Sequence, residues 1–128
     1  MNKNIILTAS IFGALAVGLG AFGAHSLKDL IEPRLIDTWA KGVEYQFYHT
    51  LAILYLSTFA RYKNNLIKMS YLFFSLGIIL FSGSLYLLAT QAITELSFVN
   101  YIGPITPIGG LCLILGWVFL FLAAFRHK

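Results

Sequence analysis

Long runs without any charged residue dominate this chain of 128 residues. Three of them cover residues 5–24, 69–90 and 104–125. An α-helix rises about 1.5 Å per residue, so a run of this length crosses the roughly 30 Å hydrocarbon layer of a bilayer. A fourth run, 45–61, is shorter and ends on an arginine. The chain is therefore predicted to be an all-α membrane protein, a single domain whose four spans form an antiparallel four-helix transmembrane bundle.

The composition excludes an ordinary soluble domain. Hydrophobic residues make up 59% of the chain and charged residues 11%, whereas soluble domains average about 45–50% and about 25%. The formal net charge of +4 is carried by short basic clusters beside the apolar runs, a placement typical of membrane topology rather than of a nucleic-acid surface. We expect the lipid bilayer to be a partner and nucleic acid not to be one.

The distribution of lysine and arginine predicts the orientation of the spans. If the spans alternate in direction, six basic residues share one face of the membrane: Lys3, Arg61, Lys63, Lys68, Arg126 and Lys128. The opposite face has three: Lys28, Arg34 and Lys41. Because basic residues are enriched on the cytoplasmic side of a membrane, both termini are predicted to be cytoplasmic.

The connection between the first two spans has a helical pattern of its own. Ile36, Trp39 and Val43 recur at helical spacing after Pro33, and charged residues separate them. Tryptophan is enriched at the level of the lipid headgroups. The pattern predicts a short interfacial helix that presents Trp39 to that region.

Small residues predict where the helices pack, because close backbone approach is what holds helices together in lipid. One seam on the first span is Ala9, Gly13, Ala16, Gly20 and Gly23. A second strip beside it is Ser10, Ala14, Gly18 and Ala21, and its continuation predicts that His25 points into the bundle. The fourth span has a seam of Gly109, Cys112, Gly116 and Ala123. Thr106 is predicted to cap that span, with Pro107 in its first turn.

Polar residues inside the predicted spans are the candidate site. The candidates for a ligand site or a polar cluster are His25, Glu44, Tyr45, Gln46, His49, Ser82, Ser84, Tyr86 and Thr106. Tyr45 and His49 are four residues apart and share a helix face. In a hairpin of the first two spans, His25 is expected near the level of Glu44. Polar groups at membrane depth usually face the protein interior and find partners there.

Three interpretations of these residues remain open. They form a hydrogen-bonded structural cluster, or they line a pocket for a small polar ligand or lipid headgroup or a proton-linked path. In the third interpretation His25 and His49 bind a metal ion or haem, with Glu44 as a third ligand, although no close metal-ligand spacing supports it. We expect no metal site and no cofactor.

Classical signatures of enzymes are absent from the sequence. There is no nucleophile elbow and no HExxH motif. The string from Gly18 to Gly23 matches G-x-G-x-x-G, but it ends an apolar run instead of following a strand, so it does not indicate dinucleotide binding. The chain is not expected to be an enzyme.

Four stretches in order resemble a known family: GAFGAHSLK, VEYQFYHTLAIL, LFSGSLYLL and GPITPIGGLCLILGW. They are similar to the small bacterial membrane proteins of the family "domain of unknown function 423", which is related to eukaryotic transmembrane protein 256. The resemblance covers nearly the whole chain. It implies a four-helix integral membrane protein and a first span that is not cleaved as a signal peptide, but it brings no established activity. We expect the protein to lie in the bacterial cytoplasmic (inner) membrane.

The family's pattern falls on the following positions of this chain: Gly20, Gly23, Ala24, His25, Tyr45, Gln46, His49, Ser82, Gly83, Ser84, Tyr86, Thr106, Pro107, Gly109, Gly110, Gly116 and Trp117. Its polar members coincide with the candidates above. The expected role is a non-enzymatic small accessory or ligand-binding membrane component, as a homo-oligomer or with a membrane-protein partner. The alternatives are a haem- or metal-binding redox protein that uses His25 and His49, and a small proton-coupled transporter.

Overall fold

The computed structural model describes residues 3–59, 64–95 and 99–127, and these are almost entirely helical. The helices are α1 (Lys3–His25), α2 (Pro33–Leu56), α3 (Asn65–Gly77), α4 (Gly83–Ala89), α5 (Gln91–Thr94), α6 (Val99–Ile102) and α7 (Ile105–Arg126). A π-helical segment, Ile78–Ser82, joins α3 to α4, and two 3₁₀ turns cover Leu27–Asp29 and Ser57–Phe59. No strand occurs in the described residues. The prediction of an all-α protein is confirmed.

Three helical stretches in the described part of the chain are long and apolar enough to cross a membrane. They are Lys3–Asp29, Asn65–Ala89 and Asn100–Arg126. The predicted span 45–61 lies mostly in the second half of α2, whose first half carries charged residues. Arg61 and Lys63, on which the orientation partly depends, and Lys128 lie outside the described residues.

The separate interfacial helix expected between the first two spans is not present. Its residues form the first half of α2, which begins with Pro33 in its first turn and continues unbroken to Leu56. Trp39 is 6% exposed, and its indole Nε1 donates a hydrogen bond to the carbonyl of Leu19 over 2.8 Å. The expectation that Trp39 faces lipid headgroups is wrong, because Gly23 of α1 leaves space that the indole ring fills.

The helices pack through their small residues. α1 lies against α2, α2 lies against α3, the π-helical segment and α4, and α7 lies against α3 and the π-helical segment. In α7 the predicted seam is buried as expected: Gly109, Cys112, Gly116 and Ala123. In α1 the first seam faces α2, with Gly20 opposite Val43. The second strip is exposed on the outer surface: Ser10, Ala14, Gly18 and Ala21.

Four hydrogen bonds between helices share one design, in which a side-chain donor reaches a carbonyl at or just before a glycine. They are Trp39 Nε1 to Leu19, Gln46 Nε2 to Phe12, Ser70 Oγ to Gly116 and Ser82 Oγ to Gly42, all 2.7 to 2.8 Å long. A glycine has no side chain to block the approach of the neighbouring helix. The same residues that allow close packing therefore also expose the acceptors that lock the helices together.

Candidate functional site

Gln46 is the centre of a buried polar network. Gln46 is 2% exposed, and its Nε2 donates a hydrogen bond to the carbonyl of Phe12 over 2.8 Å. The hydroxyl of Tyr86 donates to Gln46 Oε1 over 2.7 Å. Because the amide nitrogen donates to α1 and the amide oxygen accepts from α4, both helices are held to the same point of α2. An unpaired amide at this depth costs free energy, and here both ends of the amide have partners.

The serines of the third predicted span also bond to neighbouring elements. Ser82 Oγ donates to the carbonyl of Gly42 over 2.7 Å, and Ser84 Oγ lies 2.7 Å from Thr106 Oγ1. The predicted capping role of Thr106 is wrong, because α7 begins at Ile105 with Pro104 as its N-cap, so Thr106 already lies inside the helix. Thr106 instead links the start of α7 to α4.

His49 contacts α3 through the Phe74 ring and α7 through the Trp117 ring. It is 6% exposed. Its Nδ1 lies 2.7 Å from the carbonyl of Tyr45, and the indole Nε1 of Trp117 donates to its Nε2 over 3.1 Å. An indole N–H can only donate, so Nε2 must accept and Nδ1 must carry the proton. The contacts therefore define a neutral imidazole with both nitrogens paired.

His25 does not join this cluster. It is exposed at the end of α1, and the prediction that it points into the bundle is wrong. Gly23 lies against Trp39, so His25 reaches a level of α2 about twelve residues before His49. At about 1.5 Å per residue, the two histidines are offset by about 18 Å along the helix axis.

Glu44 is also on the surface. Its carboxylate lies 3.1 Å from the ammonium of Lys41, and this hydrogen-bonded partner holds the pKa of Lys41 above its usual value. The three residues considered for a metal or haem, His25, Glu44 and His49, are thus not brought together. Among the described residues, no group of three or more His, Cys, Asp or Glu side chains is close enough to hold a metal ion.

A groove of about 600 Å³ lies between α2 and α7. The residues that line it are Tyr45, His49, Phe81, Pro107, Gly110, Leu111, Leu113, Ile114 and Trp117. Leu111, Ile114 and Trp117 are all partly exposed, so the groove opens on the outer surface of the helices. Its walls are mainly apolar, and its polar groups are those of Tyr45, His49 and Trp117.

The π-helical segment forms the floor of the groove. A Cβ atom at Gly109 would collide with the backbone nitrogen of Phe81, so α7 lies directly on the widened turn. The Phe81 ring then packs 4.8 Å from the Tyr45 ring, centroid to centroid. π-helical turns are rare and occur often at functional sites. The local packing therefore places Phe81 and Tyr45 side by side at the groove.

The candidate site residues predicted from the sequence do not include Trp117 or Phe81, although Trp117 falls on the family's pattern. Trp117 stands in the middle of an apolar run, and a buried indole N–H usually finds a partner, which was a signal that could have found it. Phe81 gave no such signal, because its place at the groove depends on the π-helical segment and on the contact of that segment with Gly109.

The family described as "Protein of unknown function (DUF423)" matches residues 19–110. The chain belongs to this family. The match begins near the end of α1 and ends in the first turns of α7, so it includes Tyr45, His49 and Gly110 but not Trp117.

Curated relatives cover nearly the full length and are membrane proteins by name. A UPF0382 membrane protein of Staphylococcus aureus (strain bovine RF122 / ET3-1) is 39% identical over 125 residues, 97% of each chain. One from Haemophilus influenzae is 39% identical over 127 residues, 99% of this chain and 97% of the relative. UPF0382 membrane protein YwdK of Bacillus subtilis is 38% identical over 128 residues, 98% of each chain. No solved structure matches.

Proposed function

We propose that this membrane protein is a four-span bundle that binds an amphipathic small molecule in the groove between α2 and α7, without catalysing a reaction. The second half of α2 would supply the fourth crossing, since α1 covers one of its sides and α3 another. If the four spans alternate in direction, the sequence has six lysines and arginines on the side of the termini and three on the other side. By the positive-inside rule, both termini would then face the cytoplasm of a bacterial cell.

The observation that carries the proposal is the shape and chemistry of the groove. A volume of about 600 Å³ falls within the 300–1,000 Å³ that is common for small-molecule sites, which are mostly apolar with a few placed polar groups. The lateral opening suits a molecule that enters from the bilayer. The indole of Trp117, which spans the groove to His49, gives the site a defined wall.

Filling the groove tests the proposal. Gly110 lines it, and a Cβ atom there would lie 3.7 Å from the Phe81 ring, an ordinary contact. Gly110→Leu should therefore fold while its longer side chain occupies the groove. Gly18→Leu is the matched control, because Gly18 lies on the exposed strip of α1 with nothing near it.

The measurement is mass spectrometry of the small molecules extracted from each protein after purification in mild detergent. A compound bound near one per protein in the wild type and in Gly18→Leu should be lost from Gly110→Leu. Ile114→Trp, which places a larger ring over the same opening, should reduce it too. Equal amounts in all four proteins would contradict the proposal.

The orientation has its own test. After Cys112→Ala, single cysteines that replace Asn4, Ser26 or Asn65 are labelled in intact cells with an impermeant reagent; these exposed positions leave every lysine and arginine in place. We expect labelling at position 26 alone. Labelling at positions 4 and 65, with none at 26, would reverse the proposed orientation.

A further inference from the structure

The charge of the groove restricts what it binds. None of the described residues that line it carries a charge. The nearby cation, Lys41, lies one helical turn before Tyr45 and is already paired with Glu44 at 3.1 Å. A phosphate or carboxylate placed in this apolar groove would lose its hydration without gaining an opposite charge. The polar end of the ligand is therefore uncharged.

Tyr45 lines the groove and carries a hydroxyl that can donate a hydrogen bond to a ligand. This hydroxyl makes no hydrogen bond to any described residue, whereas the Tyr86 hydroxyl on the interior side of α2 donates to Gln46. The other polar groups are committed to each other, since Trp117 donates to His49 Nε2 and His49 Nδ1 donates to the Tyr45 carbonyl. A ligand atom that accepts a hydrogen bond would satisfy Tyr45 without disturbing either bond.

The walls favour a flat ligand. Three aromatic side chains line the groove: Tyr45, Phe81 and Trp117. Aromatic faces stack on planar groups and add to the free energy gained from buried area. The remaining wall, from Leu111 to Ile114, is apolar and partly exposed. An apolar tail of the ligand would contact this wall as it leaves the groove toward lipid.

We propose that the occupant is an uncharged amphiphile with a flat, carbonyl-bearing head of the quinone class, whose carbonyl oxygen accepts a hydrogen bond from the Tyr45 hydroxyl. This inference rests on the proposed function, because it names the ligand of the same groove. Trp117 is a positioning residue: its bond to His49 holds the indole as a wall and leaves Tyr45 to make the polar contact.

The test is isothermal titration calorimetry, in which decylubiquinone is titrated into the purified full chain in mild detergent. Tyr45→Phe removes only the unpaired hydroxyl. We expect the Kd to rise about five- to tenfold, as the loss of one hydrogen bond predicts. Tyr48→Phe is the matched control, because Tyr48 is an exposed neighbour outside the groove, and its Kd should equal that of the wild type.

A second probe separates this inference from the proposed function. Decylbenzene has a flat head and the same tail but no carbonyl, so it should bind more weakly than decylubiquinone and should not respond to Tyr45→Phe. If both probes bind equally and Gly110→Leu blocks both, the groove binds amphiphiles but the carbonyl inference is overturned. Preference for dioleoylphosphatidylglycerol over decylubiquinone would overturn it in favour of a lipid headgroup. If neither probe nor the lipid binds the wild type, both proposals fail.

Discussion

The two sides of α7 differ in how they meet their neighbours. Toward α3 the contact is close, because Gly116 accommodates the Phe74 ring and Gly109 lies on the backbone of the π-helical segment. Toward α2 the helices stay apart, and the Trp117 to His49 hydrogen bond crosses the groove between them. Adjacent glycines thus serve different purposes: Gly109 allows contact, while Gly110 leaves space. The difference shows that a glycine in a membrane helix indicates either close packing or an opening, and its neighbours decide which.

The largest expected effect separates these two glycines. Gly109→Ala should destabilise the protein by about 3 kcal/mol, because the new methyl group meets rigid backbone at Phe81 and α7 must move away. Gly110→Ala should change stability by less than about 0.5 kcal/mol, because its contact with the Phe81 ring is ordinary. Thermal unfolding of both variants in detergent measures the difference, and equal melting temperatures would remove the distinction between the two sides of α7.

The bond across the groove comes next. His49→Leu should destabilise the protein by about 2 kcal/mol, because it leaves the Trp117 N–H without its acceptor. Leucine and histidine are similar in size, so the lost hydrogen bond is the main change. His25→Leu is the control, since His25 is exposed at the end of α1 and should change stability little. If the two variants melt at the same temperature, His49 does not hold α2 to α7.

The bond on the close side of α7 should matter less. Ser70 is fully buried, and its Oγ donates to the Gly116 carbonyl over 2.8 Å. Ser70→Ala should cost about 1 kcal/mol, the usual net value of one hydrogen bond, because the Gly116 carbonyl keeps its acceptor role within the helix. Chemical unfolding compared with exposed Ser10→Ala would check this, and a loss larger than that of His49→Leu would reverse the expected order.

The smallest effect is expected at Tyr45. Its hydroxyl has no partner among the described residues, so Tyr45→Phe should leave the melting temperature unchanged within error while it weakens ligand binding. A clear loss of stability in the absence of added ligand would mean that the hydroxyl has a structural role, and the groove would then resemble the close side of α7.

The sequence was sufficient for some features of the fold and misleading for others. The bounds of α1 and α7 agree with their apolar runs within two residues at each end, because the length of an apolar run is a local property. The strips of α1 were different. Both consist of small residues, so helical spacing alone gave no reason to prefer the one that faces α2, and His25 was placed on the buried side although it is exposed.

The sequence indicated which polar residues of the candidate site lie inside, but it did not indicate the level of His25. Gln46, His49 and Tyr86 do lie inside and are hydrogen-bonded, as polar residues at membrane depth usually are. The level of His25 depends on how far α1 slides along α2, and that register is set by the insertion of Trp39 against Gly23, a contact between residues sixteen positions apart. No local pattern contains it.

The sequence by itself determined that this is a membrane protein. Its apolar runs are long enough to cross a bilayer, and with only 11% charged residues the chain could not keep them out of water as a soluble domain. The sequence also determined the family and, to within two residues, the bounds of α1 and α7. Only the tertiary structure decided which small residues touch and which leave space. A groove depends on two facing surfaces, and no local stretch of sequence contains both. The groove beside Tyr45 exists because α7 contacts the π-helical segment at Gly109, while the Trp117 side chain separates α7 from α2.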